Sequence, residues 1–312
     1  MKKKGLHYLG LVTMAVLLCG CTDGNKGKAV ENEVNVTTPQ EVASTAPTQE
    51  PEAVEVAKGT IEVITEFYSP ELDREQTVRI YLPPDYAESE KQYPVMYMLD
   101  GQNLFSSTTA TYQKEWQIDE RLDALYEENR TEGIIVVGVD SSSSTRNADY
   151  NLYLNTYEGG GNGKAFEVCD FYANTLKNYV DTHYRTLPDR EHTAIVGASY
   201  GAIVSVCASI RHPEIYGYTG MFSYCDNQDS AKMKSYLKKS MTAETLTDNR
   251  IFFYTAEYDF ALQSTKSAFE IAQENGIKNI EYVFDNGQHD EYAWGRNYEK
   301  CLEFFGWIAE VK

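Results

Sequence analysis

The spacing of apolar residues along this chain switches repeatedly between two-residue alternation and the 3.6-residue helical period. Alternation predicts strands near 60 to 67 and 77 to 83, and the apolar run Tyr93-Pro-Val-Met-Tyr-Met-Leu99 predicts a third. A helical pattern from Ile118 to Tyr126 precedes a fully apolar strand, Gly133-Ile-Ile-Val-Val-Gly-Val139, and a second helical pattern runs from Ala165 to Tyr184. Beyond residue 192 the alternation continues. Strands are expected at Ala194-Ile-Val196, Tyr216 to Phe222, Arg250 to Tyr254 and Asn279 to Phe284, with helices after the first, near 230 to 239, up to Glu274 and from the last loop to Val311. Strands that alternate with helices, several of them apolar throughout, predict an α/β domain with a mostly parallel sheet covered on both faces. Active sites of such sheets lie at the carboxyl ends of the strands.

The stretch that organises this pattern is Thr193-Ala-Ile-Val-Gly-Ala-Ser-Tyr-Gly-Ala-Ile-Val-Ser-Val-Cys207, read as buried strand, tight corner and helix. The corner, Gly197-Ala-Ser-Tyr-Gly201, matches the G-x-S-x-G nucleophile elbow. In such an elbow the positions two before and two after the serine pass so close that only glycine-sized residues fit. Ser199 is therefore the candidate nucleophile, and the backbone N–H of Tyr200 is the first candidate oxyanion donor. The pattern is short, and its weight comes from the strand before it and the helix after it.

A serine nucleophile needs a base, and the chain has five histidines. His7 lies in the N-terminal apolar segment, His183 near a helix end, His192 at the wrong end of the elbow strand and His212 at the far end of the elbow helix. His289 remains, after a strand and the polar segment Asp285-Asn-Gly-Gln288. The orienting acid is expected after the preceding strand, where Glu257 and Asp259 both stand. Distance along the loop favours Asp259, although two carboxylates two residues apart would share a face if the extended course continued. The order Ser199, Asp259, His289 is that of an α/β-hydrolase. The second oxyanion donor is expected from Leu99-Asp-Gly-Gln-Asn-Leu-Phe105, where Gly101 permits a tight turn; the N–H of Gln102 is the first choice and Asn103 the second.

The chain opens with Met1-Lys-Lys-Lys4 and an apolar segment ending in Leu18-Cys-Gly-Cys21, which reads as a secretory signal over residues 1 to 20. Leu-x-Gly-Cys resembles the bacterial lipobox, in which Cys21 would carry a lipid anchor, so an extracytoplasmic membrane lipoprotein is expected. Residues 22 to 58 contain no aromatic residue, Leu or Ile. With Cys21 they form an expected disordered, acidic, Thr-, Pro- and Glu-rich tether (21 to 58) ahead of a single catalytic domain, 59 to 312. The formal charge of −19 becomes −22 without Lys2, Lys3 and Lys4, a surface that repels nucleic acid and anionic headgroups and leaves membrane attachment to the lipid. Cys169, Cys207, Cys225 and Cys301 have no metal-like spacing, and no cofactor or metal motif is found. They read as core cysteines, and spacing alone assigns no disulfide.

Several segments together resemble the putative-esterase family of α/β-hydrolases, which includes feruloyl and acetyl-xylan esterases, S-formylglutathione hydrolase, enterobactin-type esterases and mycolyltransferases. They are Tyr93 to Phe105, Glu115-Trp-Gln-Ile-Asp-Glu120, Ile134 to Asp140, Tyr184-Arg-Thr-Leu-Pro-Asp-Arg190, the elbow with Arg211-His-Pro213, and Gly287-Gln-His289. The resemblance runs from about Val78 to Trp307 and implies the α/β-hydrolase fold, with Ser199, Asp259 and His289 as the triad. It departs from the family at Ala202 and Ala256, where the family usually carries glycine. The segment 141 to 150 matches the family's Arg-x-x-Glu-Tyr loosely and offers Arg146 and Tyr150 as substrate-binding candidates; Trp294 is another, among aromatic residues in loops that could line a cleft. Three functions follow: a serine esterase acting on a small-molecule or glycan ester, such as feruloyl or acetyl groups on carbohydrate; an acyltransferase using the same triad; or a non-catalytic binding protein on the same scaffold.

Overall fold

The computed structural model describes residues 57–310. The expected signal segment, Cys21 and all but the last two residues of the expected tether lie outside them. Predominantly apolar runs become the middle of one sheet. Val95–Leu99 (β3), Ile135–Val139 (β4) and Thr193–Ala198 (β5) are buried at every residue, as strands covered on both faces must be. Thr60–Ser69 (β1) and Arg74–Leu82 (β2) alternate more and lie toward one edge. Tyr218–Phe222 (β6), Arg250–Tyr258 (β7) and Ile280–Gln288 (β8) complete eight strands in the order β1-β2-β4-β3-β5-β6-β7-β8. β1 with β2 and β2 with β4 are antiparallel, and all later pairings are parallel.

The helices are Ile118–Glu127 (α1), Arg146–Asp149 (α2), Ala165–Asp170 (α3), Lys177–His183 (α4), Tyr200–Arg211 (α5), Ser230–Ser240 (α6), Leu262–Glu274 (α7), Glu291–Arg296 (α8) and Tyr298–Phe305 (α9). Because side chains alternate across the sheet, each central strand feeds two cores. Tyr97, Val137 and Ile195 pack with residues of α3 to α7, including Leu237 and Ile271. Met96, Val136 and Val196 pack with Leu122 and Leu125 of α1 and Leu302 and Phe305 of α9. This is the α/β-hydrolase arrangement.

The structure differs from the periodicity in three places that bear on the site. β7 and β8 run four residues further than Tyr254 and Phe284, so Asp285 to Gln288 is strand and not loop. Their pairing slips between Ala256 and Tyr258, a bulge that re-aims the strand end. The helix expected at 165 to 184 contains a π-helical insert, Phe171–Leu176, between α3 and α4. The expected last helix is broken at Asn297 and ends at Gly306, whose φ of 75° stops it. The four cysteines of the domain are free and buried. Among the described residues, no helix is long and apolar enough to cross a membrane.

Candidate active site

The elbow is built as close contact requires. Ser199, between β5 and α5, has φ 59° and ψ −123°, a region costly for a non-glycine residue. Its own N–H is held by Phe222 O at 2.9 Å. A Cβ added to Gly197 would stand 2.4 Å from Gly201 O, so the corner closes only with glycine there. The first turn of α5 begins at Tyr200, placing an unsatisfied helix N-terminal N–H next to the serine.

The bulge at the end of β7 decides between the two carboxylates. Glu257, inside it, is exposed, and Asp259, beyond it, is buried, 5% accessible. Asp259 Oδ1 receives His289 Nδ1 at 2.8 Å and the Ala261 N–H at 2.7 Å. Its Oδ2 accepts from Ser223 Oγ. Burial alone would raise this carboxyl; the hydrogen bonds from His289 and Ser223 outweigh it and hold the group below its usual range. A carboxyl depressed in the folded state adds stability above its unfolded value, about 3.9, and that contribution is lost as pH falls through the lower folded value. Acid titration of Asp259→Asn should therefore show a smaller loss of stability below about pH 4 than the wild type.

His289 directly follows β8 and precedes α8, whose cap is Asp290: the Asp290 side chain accepts the Ala293 N–H at 3.0 Å and pairs with Lys114 at 2.8 Å. The imidazole lies between two rings. Phe260 packs on it at 4.0 Å with 31° between planes, and Trp294 meets it edge to face at 5.1 Å. Trp294 is buried, and its ring N–H donates to Ser223 Oγ at 2.7 Å. Trp294, Ser223, Asp259 and His289 thus form one continuous set of contacts. The other described histidines are engaged elsewhere, His183 with Tyr179 O, His192 with Asp189 and His212 with Asp170.

The loop after β3 starts with Asp100 in the left-handed region, φ 60°. A Cβ on Gly101 would meet β4 backbone at 2.7 Å, so the loop lies directly on that strand. The Asn103 N–H closes the turn onto Asp100 O at 2.9 Å, whereas among the described residues no backbone carbonyl takes the Gln102 N–H. Arg146 clamps Asp100 with Nε on Oδ1 and Nη2 on Oδ2, both at 2.7 Å. Burial works against that guanidinium's charge, and the Asp100 carboxylate more than restores it, so Arg146 stays charged. Its guanidinium also lies 5.0 Å from the Tyr150 ring and 5.7 Å from the Tyr200 ring. Tyr150 is buried, and its hydroxyl accepts the Asp100 N–H at 3.3 Å. Asn103 Nδ2 donates to the buried Glu291 of α8 at 3.1 Å, tying this loop to the helix after His289.

The structure therefore joins Asp259, His289 and Trp294 in one set of contacts and Arg146, Tyr150 and Tyr200 in another. Ser223 and Phe260 were missed in the sequence. Ser223 directly follows the strand beside the elbow strand, and that adjacency is its only signal. Phe260 was detectable only as an apolar residue next to the acid.

The chain belongs to the putative-esterase family, whose model matches residues 69–306. It is 25% identical over 175 residues to an endo-1,4-beta-xylanase/feruloyl esterase of Xylanibacter ruminicola. That match takes in 54% of this chain and 22% of the relative, so the chain spans about a fifth of the relative's length. Among solved structures, a ferulic acid esterase superposes with a TM-score of 0.60 at 20% identity, over 80% of this chain and 97% of the other. The enterobactin esterase FES from Shigella flexneri, solved with enterobactin, gives 0.62 at 16% identity over 83% and 60%. At these identities the structural likeness is one of fold.

Proposed function

We propose that this chain is a serine carboxylic ester hydrolase with Ser199 as nucleophile, His289 as base and Asp259 as orienting acid. The observation that carries the reading is the 2.8 Å bond between His289 Nδ1 and a buried carboxylate, at the same sheet edge as a serine held at φ 59°. With Nδ1–H donated to Asp259, Nε2 is the ring nitrogen left to take the Ser199 proton. The serine oxygen adds to the ester carbonyl, and the N–H groups of Tyr200 and Gln102 bind the oxyanion. The His289 proton passes to the alcohol oxygen as the C–O bond breaks, leaving an acyl-enzyme that water hydrolyses by the same route. Tyr150 and Trp294 act from behind the reacting groups, as supports of the Asp100 loop and of His289; Arg146 fixes the Asp100 loop and flanks Tyr200.

The narrower substrate class we infer is an aromatic or acetyl acyl group on carbohydrate, in line with the feruloyl esterase named among the relatives. Incubating the purified domain with acetyl and feruloyl sugar esters and following free acid tests it; an unchanged ester pool would count against it. Adding an acceptor alcohol separates hydrolysis from acyl transfer, since a transferase would yield the new ester in preference to free acid.

Ser223 is a positioning residue in this scheme. Ser223→Ala would strip a hydrogen bond from the buried acid and from the Trp294 ring N–H, each costing about 1–3 kcal/mol if unreplaced. We expect kcat to fall about tenfold with KM nearly unchanged. Equal kinetics in the two proteins would remove Ser223 from the mechanism.

We also infer export and lipid anchoring at Cys21, from the basic head, short apolar core and Leu18-Cys-Gly-Cys21. A Cys21→Ser variant is expected to leave the membrane fraction or to stay unprocessed. Fractionation and processing like wild type would contradict the anchor.

A further inference from the structure

Phe260 is 69% exposed although it sits between two buried residues, Asp259 and Ala261. Both neighbours are pinned, Asp259 N–H to Ala256 O at 3.3 Å and Ala261 N–H to Asp259 Oδ1 at 2.7 Å, so the outward course of residue 260 is imposed by the acid's own turn. One face of the ring covers His289 at 4.0 Å. The strand pairing sets Tyr258, 67% exposed, opposite Gln288, the residue before His289. Exposed rings are ordinary on a protein surface, and Tyr112 and Tyr157 are more exposed still; Phe260 differs from them in lying face-on against the His289 imidazole.

The chemistry of the proposed reaction says which half of an ester such a ring can meet. In acylation the bond from Ser199 Oγ to the carbonyl carbon forms, the bond from that carbon to the alcohol oxygen breaks, and the proton on His289 Nε2 goes to the departing oxygen. The alcohol half must therefore lie beside the imidazole, whereas the carbonyl oxygen lies toward Tyr200 and Gln102. A ring packed on the imidazole is next to the alcohol. Once the alcohol has left, water occupies that place and the ring has nothing to hold.

We propose that Phe260 is a specificity-determining platform for the alcohol half of the ester, taking a leaving group with a flat apolar face, a sugar ring or an aryl ring, against the imidazole side of the cleft. The proposal rests on His289 being the base and leaves the acyl group to other residues. Stacking of this kind is worth about 0.5–1.5 kcal/mol, up to roughly tenfold in binding.

The test uses methyl, benzyl and arabinofuranosyl esters of one aromatic acid, and the same three alcohols as acetyl esters, with wild type, Phe260→Ala and Phe260→Tyr. For Phe260→Ala we expect kcat/KM to fall about tenfold on the benzyl or sugar ester, mainly through KM, and about twofold or less on the methyl ester. The acyl-enzyme hydrolysis rate, read from a pre-steady-state burst, should be unchanged, and Phe260→Tyr should restore the selectivity. A loss confined to benzyl or to sugar also supports the platform and names its ligand. An equal loss on all three esters, or slowed acyl-enzyme hydrolysis, would overturn it, because Phe260 would then only position His289. A loss that follows the acid when the alcohol is held constant would overturn it too. If the wild type cleaved neither the aromatic nor the acetyl series, the esterase reading itself would fall.

Discussion

Replacing Ser199 by alanine is expected to lower kcat/KM for ester cleavage by about a thousandfold or more, with the fold intact. The hydroxyl is the bond-forming group, and neither oxyanion donors nor His289 can replace it. Folding should survive because the strain at φ 59° is met by the close packing of Gly197 on Gly201 and by the Ser199 N–H bond to Phe222 O, none of which uses the side chain. Alanine takes the same backbone position at similar cost. The check is steady-state kinetics on purified protein alongside circular dichroism. Retention of more than a few per cent of wild-type turnover in a folded variant would give the nucleophile's role to another residue.

Asp259→Asn should be comparably damaging, and far more so than Glu257→Gln. An amide at 259 can accept from only one of its two positions, and it favours the imidazole tautomer that presents Nε2–H to the serine, where a lone pair is needed. A loss of about ten-thousandfold in kcat is expected. Glu257 is exposed within the bulge, and removing its charge should change turnover by about twofold at most. Both variants should have wild-type circular dichroism at neutral pH. The reverse ranking would move the acid to Glu257 and require the strand end to be rearranged in solution.

How far the sequence carries this account differs from residue to residue. The sheet's centre was legible because β3, β4 and β5 are buried on both faces and so are predominantly apolar. The elbow was legible because its geometry demands glycine two residues either side of Ser199, a constraint written directly in residue identity. The choice between Glu257 and Asp259 was open on periodicity because a bulge between β7 and β8, not the strand's alternation, sets the direction of both side chains. Polar residues 285 to 288 read as loop, yet they extend β8; Asp285 bonds Tyr254 Oη, the Gly287 N–H and Asn297 Nδ2, partners that a local pattern does not reveal. Tyr150 and Trp294 stood out as loop aromatics, but ring chemistry does not say which side of a loop faces inward. In the fold their polar atoms are used by Asp100 and Ser223. Ser223 itself became visible only when the strand order put the end of β6 between the elbow strand and the acid strand.

The central claim is that one serine, activated at the end of β5, is the nucleophile. Treating the folded wild-type protein with a fluorophosphonate, which reacts with an activated serine hydroxyl, and mapping the adduct by peptide mass spectrometry tests it directly. One stoichiometric adduct on Ser199 is expected, absent from Ser199→Ala and strongly slowed in Asp259→Asn. An unlabelled protein, or an adduct on a different residue, would contradict it.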